Sequence, residues 1–254
     1  MDVQTAVVLA GGQGRRLRPL VADRPKPLAN IAGRPFLTHL LDFWIEQGIC
    51  RFILAVGYRW QMIAEQLGND YRGARIDYAV ESTPLGTGGA LLQALQRLDR
   101  SEDPVWVING DTLFAVDACA MRAAHRKHCA DLTLACRCQL NNARFGALAL
   151  DSTGCIVQFN ANGAAGKGWI NGGVYLLERH LASEPLHPSS LEQELIPGWL
   201  AAGRMVFAFR TDAFFIDIGI PEDYRRAREL LPQRPWTIQA TQTYPGPIGG
   251  IFSP

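Results

Sequence analysis

The chain has 254 residues, 48% hydrophobic and 19% charged, with a formal net charge of +1, which suits a globular chain built around one large core or two small ones. The near-zero charge argues against nucleic-acid binding through counterion release and against an acidic, disordered partner. Six cysteines are too few for a disulfide scaffold of this size, the N-terminus lacks a basic region, and no apolar run reaches the length of a membrane span, so a reducing, cytoplasmic setting without membrane contact is expected.

Taken in chain order, short apolar runs alternate with amphipathic stretches, the pattern of a three-layer, Rossmann-like α/β fold with a mixed sheet. Residues 5–10 (TAVVLA) predict a buried strand, followed by a glycine-rich turn and a helix from Pro35 that stops at Gly48. Strands are expected over 51–57, 76–81 and 105–109, with helices over 60–67 and 88–98 between them. Right-handed crossovers then put helices on both faces of the sheet. The second half reads as a helix over 117–129 and a strand over 131–139. A hairpin of 145–151 and 155–159 turns at Ser152-Thr153-Gly154. Further strands are expected over 169–177, 205–209 and 214–218, with helices over 191–202 and 221–231. From Pro232 onward the chain reads as an extended tail, with Trp236, Ile238, Tyr244, Ile248 and Phe252 available to pack on this chain or on a second copy as a homodimer contact. The expected organisation is thus one unit over 1–231, with halves of about 1–115 and 116–231, plus the tail 232–254.

The strongest local feature is LAGGQGRRLRPL, directly after the first strand. Leu9, Ala10, Gly11, Gly12, Gln13 and Gly14 would offer backbone amides to an anion where an α/β crossover begins. Two phosphate motifs fail here: a GxGxxG pattern would need glycine at Leu17, and a P-loop would need Lys-Ser/Thr where Arg15-Arg16 stand. A tight connection with a solvated arginine edge is the structural alternative. The RPKPL segment weighs against it, because Lys26, one of only three lysines with Lys127 and Lys167, is fixed between two prolines beside the same loop.

LAGGQGRRLRPL, PKPL, ESTPLGTGGA at 81–90, NGD at 109–111, NGGVY at 171–175 and FIDIGIPEDY at 215–224 together resemble the sugar-1-phosphate nucleotidyltransferases. Within that family the PLGTGGA and NGDT wording is most similar to the D-glycero-α-D-manno-heptose 1-phosphate guanylyltransferases of capsule and lipopolysaccharide synthesis. The resemblance implies a nucleotide-diphospho-sugar transferase fold, and attack of a sugar-1-phosphate oxygen on the α-phosphorus of GTP with release of pyrophosphate. It further implies Arg16 at the leaving pyrophosphate, Lys26 at the α-phosphate, and Asp111 and Asp217 as ligands of Mg²⁺, with Asp111 among the catalytic residues. The base and ribose would be lined by Glu81, Pro84, Gly86, Thr87, Gly88 and Asn109. Arg15 departs from the small residue usual in the family, as a further phosphate contact or a solvated side chain.

Glu81 bears on the base. A carboxylate only accepts hydrogen bonds, and guanine offers N1–H and its 2-amino group as adjacent donors, whereas uracil and thymine oppose a carbonyl to it. The alternative turns Glu81 outward from a strand end. On the sugar side the family's Glu-Lys pair is missing, with Asn160-Ala161 in the matching stretch. Lys167, in the glycine-rich GAAGKGW loop, or Arg144 is the candidate substitute. Gly146 and Asn171 match sugar-lining positions, and Glu192 is either a ligand of a sugar hydroxyl or a helix-surface glutamate. A zinc reading of His125, His128 and Cys129 lacks a four-donor pattern. Cys136 and Cys138, and Phe36, Phe43 and Trp44, are expected in the core. The competing functions are a mannose-1-phosphate guanylyltransferase, a uridylyl- or thymidylyltransferase acting on a hexose, and a catalytically silent nucleotide-binding subunit.

Overall fold

In a computed structural model, residues 4–14, 16, 17, 19–98, 104–140, 146–161, 166–183 and 186–236 are described. The first strand, β1 (Thr5–Leu9), shows how the layers arise: Ala6 and Val8 join an apolar cluster on one face of the sheet, and Val7 joins a second cluster on the other. Residues of opposite parity point to opposite faces, so a strand apolar throughout must be covered on both sides.

A small hairpin, β2 (Asn30–Ile31) and β3 (Arg34–Pro35), leads into α1 (Phe36–Glu46), then β4 (Arg51–Val56), α2 (Trp60–Leu67), β5 (Asp70–Tyr71), β6 (Ala74–Val80) and α3 (Gly86–Leu95). Next come β7 (Val105–Asn109), β8 (Thr112–Phe114), α4 (Ala118–Lys127), β9 (Leu132–Gln139), the hairpin β10 (Ala147–Leu150) and β11 (Ile156–Asn160), and the long β12 (Gly168–Leu177). A π-turn over Leu191–Leu195 continues as α5 (Ile196–Ala201), followed by β13 (Val206–Arg210), β14 (Phe215–Asp217) and α6 (Pro221–Leu230). The main sheet runs β11-β10-β12-β7-β1-β4-β6-β5, with β9 and β13 attached to β12. Pairings β7-β1-β4-β6 are parallel, and β12 lies antiparallel to β7. One face carries α1, α2, α4 and α6; the other carries α3 and α5.

Phe36, Phe43 and Trp44 are buried in the first cluster, and Cys136 in the second. All six cysteines are free, and Cys138 is only half-buried. Within α1 the buried Asp42 accepts from Arg34 at 2.7 Å, Arg72 at 2.8 Å and the Tyr71 hydroxyl at 3.1 Å. Asp117 caps α4 by accepting from the Ala120 amide at 2.9 Å, and the basic end of that helix places His125 between the Thr133 hydroxyl and Glu178. The 152–154 turn is held by Asp151, whose carboxylate accepts the amides of Thr153 and Cys155 at 2.8 and 2.9 Å. No described helix is long and apolar enough to cross a membrane.

The structure departs from the expected element list at several points, the short strands β2, β3 and β5 among them. The helix expected over 191–202 opens as a π-turn: Ser190 caps it by accepting the Gln193 amide, its own amide is taken by Glu194, and Pro197 lacks an N–H for regular α geometry. Strand β8 was absent from the expected list, and it pairs antiparallel with β14 in a separate ladder. Trp236 of the tail packs edge-on against Phe43, with ring centroids 6.3 Å apart, beside an Arg234–Glu46 ion pair. Ile238, Tyr244, Ile248 and Phe252 lie outside the described residues, as do Arg15 and Arg144.

Candidate active site

The carboxyl ends of β1, β4, β6 and β7 open on one cavity of about 540 Å³, the edge where ligands bind in open α/β sheets. Leu9, Gly11, Gly12, Gln13, Glu81, Pro84, Gly86, Thr87, Asn109 and Glu192 line it, together with Tyr58 and Ser82, which the motif reading missed. The loop after β1 is fastened by Ala10 N–H to Ala55 O (2.8 Å) and by Gly110 N–H to Leu9 O (2.9 Å).

Two glycines of that loop, Gly11 and Gly14, are constrained by what surrounds them. A Cβ on Gly11 would stand 2.4 Å from Glu81 Oε1, whereas one on Gly12 would meet nothing within 4 Å, so Gly12 faces open space. Gly14 has φ +60°, and its Cα lies against the stem of Lys26. Glu81 is therefore turned inward, and its Oε2 accepts the Leu85 amide at 2.9 Å, closing the ESTPL turn. Burial pushes its carboxyl up, partly opposed by that amide.

The glycines of the PLGTGG segment make a close backbone contact. Gly88 N–H donates to Ser189 O at 2.8 Å, and Ser189 N–H donates to Leu85 O at 2.8 Å. The Thr87 hydroxyl accepts the Leu191 amide at 2.9 Å. A Cβ on Gly86, Gly88 or Gly89 would come within 2.6 Å of Ser189 or His187 atoms, so these positions dock the chain that leads to Glu192.

Pro25, Pro27 and a 3₁₀ turn over Lys26–Leu28 present Lys26, whose side chain is only 10% exposed. Its Nζ lies 2.6 Å from Asp111 Oδ2 and 3.9 Å from Asp217 Oδ1. The two aspartates meet because the β8·β14 ladder pairs Thr112 with Asp217, and the Ile218 amide donates to Asp111 O at 3.0 Å. The Gly219 amide caps Asp217. Desolvation works to raise the Asp111 carboxyl, but the Lys26 ammonium, the Thr112 hydroxyl and the Arg16 charge outweigh it and hold it below the usual carboxylate range. Arg16 itself is exposed. Two carboxylates with no third His, Cys, Asp or Glu among the described residues fit a hard divalent cation that completes its shell with water and phosphate oxygens.

The NGG of β12 forms a register shift between Asn171 and Tyr175, with Gly173 at φ +70° against Asn109. Asn171 bonds Gly146 O through its own amide, at 2.8 Å. Glu192 is not a helix-surface residue: its Oε1 accepts from Asn171 Nδ2 at 2.8 Å and from the Tyr175 hydroxyl at 3.0 Å. Burial pushes its carboxyl up, opposed by Tyr175, Asn109 and Asn171. Lys167 is exposed and does not line this cavity.

The profile of the nucleotidyl transferase family matches residues 5–234. The D-glycero-alpha-D-manno-heptose 1-phosphate guanylyltransferase of Aneurinibacillus thermoaerophilus is 41% identical over 229 residues, covering 89% of this chain and 97% of that protein. The protein of the same name from Campylobacter jejuni is 35% identical, covering 86% and 96%. The crystal structure of HddC from Yersinia pseudotuberculosis complexed with GMP-PN superposes with a TM-score of 0.79 at 34% identity, covering 89% of this chain and 99% of that one. The family profile over residues 5–234 and the likeness to relatives of 34–41% identity along almost their whole length show that the chain belongs to the nucleotidyl transferase family.

Proposed function

We propose that this chain transfers GMP from GTP to D-glycero-α-D-manno-heptose 1-phosphate, giving GDP-heptose and pyrophosphate for capsule or lipopolysaccharide synthesis. The observation that carries the choice of base is the inward Glu81 carboxylate, which offers guanine only acceptors. The choice of sugar is supported by the two heptose-phosphate guanylyltransferases, similar along almost their whole length. Residues of about 1–115 serve the nucleotide, and those of 116–231 serve the sugar phosphate. Free thiols and a triphosphate substrate suit a cytoplasmic reaction.

In this mechanism a phosphate oxygen of the sugar 1-phosphate forms a bond to the α-phosphorus while the bond to the bridging oxygen of the β-phosphate breaks. The protein's task is positioning and charge neutralisation. The amides of Gly11 to Gly14 hold the triphosphate. Lys26 neutralises charge on the α-phosphate as it becomes five-coordinate, and the exposed Arg16 follows the leaving pyrophosphate. Asp111 and Asp217 would hold Mg²⁺, which supplies charge neutralisation and orientation of phosphate oxygens when bound. Arg15, which lies outside the described residues, and Lys167 remain proposed phosphate contacts.

The test is pyrophosphate release with Mg²⁺ across GTP, UTP, dTTP, ATP and CTP, each paired with heptose, mannose and glucose 1-phosphates. Turnover confined to GTP with the heptose phosphate is expected. Preference for mannose 1-phosphate overturns the sugar assignment, preference for UTP or dTTP overturns the base assignment, and GTP binding without turnover overturns catalysis.

A further inference from the structure

Among the described residues, Ala32, Arg59, Arg72, Cys129 and Arg234 have positive φ without being glycine. Four of them stand where a left-handed residue is ordinary. Ala32 and Arg72 each precede a glycine in a tight hairpin turn, Cys129 follows the C-cap of α4, and Arg234 caps a 3₁₀ turn over Leu231–Gln233. Arg59 differs, because it is the N-cap of α2, with φ 52° and ψ 36°, where extended backbone is usual. A long side chain in that conformation persists when its surroundings hold it there.

The surroundings act from two sides. The Arg59 guanidinium donates to the carbonyl oxygen of Asp23 and lies over the Tyr58 ring, 5.3 Å from its centroid. Tyr58 lines the cavity, and its amide reaches Gly11 O at 3.4 Å. Asp23 stands three residues before Lys26, and Pro25 and Pro27 make the intervening chain a stiff arm. Upstream, Leu17 and Val21 anchor that arm in the core. Over residues 22–24 the bond from Arg59 is the one hydrogen bond to another element among the described residues.

We propose that Arg59 is a positioning residue for the transfer step, latching the Lys26 arm to the wall that carries Tyr58. The ammonium is thereby set at a fixed place relative to the glycine loop. This rests on reading Lys26 as the group that neutralises the α-phosphate. Arg59 is itself exposed and does not line the cavity, so it works through Lys26 and touches neither substrate.

Steady-state pyrophosphate release by the full-length protein, with GTP and the sugar phosphate varied in turn, tests the assignment. Arg59→Gly keeps the left-handed backbone and removes the guanidinium. It is expected to lower kcat about tenfold, part of the roughly 10²-fold that a misplacement of about 1 Å can cost, with KM for the sugar phosphate within about twofold. Arg59→Lys still donates to Asp23 O and should bring kcat back to within about threefold of wild type. In a Lys26→Met background, adding Arg59→Gly should cost less than about twofold more, because the group through which it acts is gone. If Arg59→Gly does not fold, Arg59→Asn, which also tolerates the left-handed region, takes its place. An unchanged kcat in Arg59→Gly overturns the proposal. A tenfold loss that persists beside Lys26→Met, as a general loosening of the fold would give, overturns it equally, as does a loss confined to KM for GTP. Full activity of Lys26→Met refutes the reading of Lys26 and the proposal with it. A wild-type protein that turns over another nucleotide or sugar phosphate refutes the choice of substrates alone, and the same ratios are then read with the pair it uses. No turnover with any pair refutes both.

Discussion

Gly11→Ala is the most informative single change in the nucleotide loop. The new methyl would lie 2.4 Å from Glu81 Oε1, about 1 Å inside ordinary van der Waals contact. Gly11 is held on both sides, since the amide of Ala10 bonds Ala55 O and Gly11 O accepts from Tyr58 N–H, so the carboxylate yields rather than the loop. Moving it by that distance breaks the 2.9 Å bond from the Leu85 amide, and a hydrogen bond to a charged group is worth about 1.5–3 kcal/mol. If about 2 kcal/mol of this appears in nucleotide use, kcat/KM for GTP falls about 30-fold. Thermal melting should move by only a few degrees, because the displaced group is the far end of a side chain facing a cavity. The assay is pyrophosphate release with GTP varied at saturating sugar phosphate, run on the wild type, Gly11→Ala, Glu81→Ala and the double variant. In the Glu81→Ala background the clash is gone, so adding Gly11→Ala should cost little more. Unchanged kcat/KM for Gly11→Ala, or a full 30-fold further loss on top of Glu81→Ala, would refute the reasoning.

Other expectations follow from the same geometry. Glu81→Gln introduces a donor, so GTP use should fall by at least about tenfold while UTP use changes little; competition assays with both nucleotides read this directly. Lys26→Met removes the only ammonium beside Asp111 among the described residues and should lower kcat by about 10²–10³ with little change in KM for the sugar phosphate. Asp42 is desolvated, yet Arg72 and Arg34 hold its carboxyl below the ordinary value. A depressed folded pKa means that its contribution is full above the unfolded value of about 3.9 and is lost as pH falls through the folded one. Asp42→Asn should therefore cost about 2 kcal/mol at neutral pH and flatten the acid limb of a urea-melt stability profile. An equal loss at pH 3 and pH 7 would contradict that account.

What the sequence disclosed depended on the range of the interaction. The unbroken apolar runs TAVVL and RFILAV announce buried strands because the pattern is local, and Asp117 announces a helix start because its capping partner lies three residues on. The meeting of Lys26, Asp111 and Asp217 was legible only through a motif resemblance. The ladder that creates it is three residues long in each strand, too short to leave a periodic signal. PLGTGG reads as a nucleotide loop only through the family resemblance, while the contact that demands its glycines comes from Ser189 and His187, about a hundred residues away. The polarity of LEQEL looked like an exposed helix face; only the fold brings Tyr175 and Asn171 up beneath Glu192.

The β8·β14 ladder also dates the birth of activity. Thr112 and Asp217 are distant in sequence and joined by one short pairing, so only a few rungs offset the entropy of bringing them together. The glycine loop and its neighbouring parallel strands can form from the first hundred residues or so. The two carboxylates cannot converge until nearly all of the polypeptide is present. A nascent or truncated chain could thus shape part of a nucleotide pocket while remaining inert, and recovery of turnover during refolding would mark the closure of this one loop rather than the appearance of the sheet.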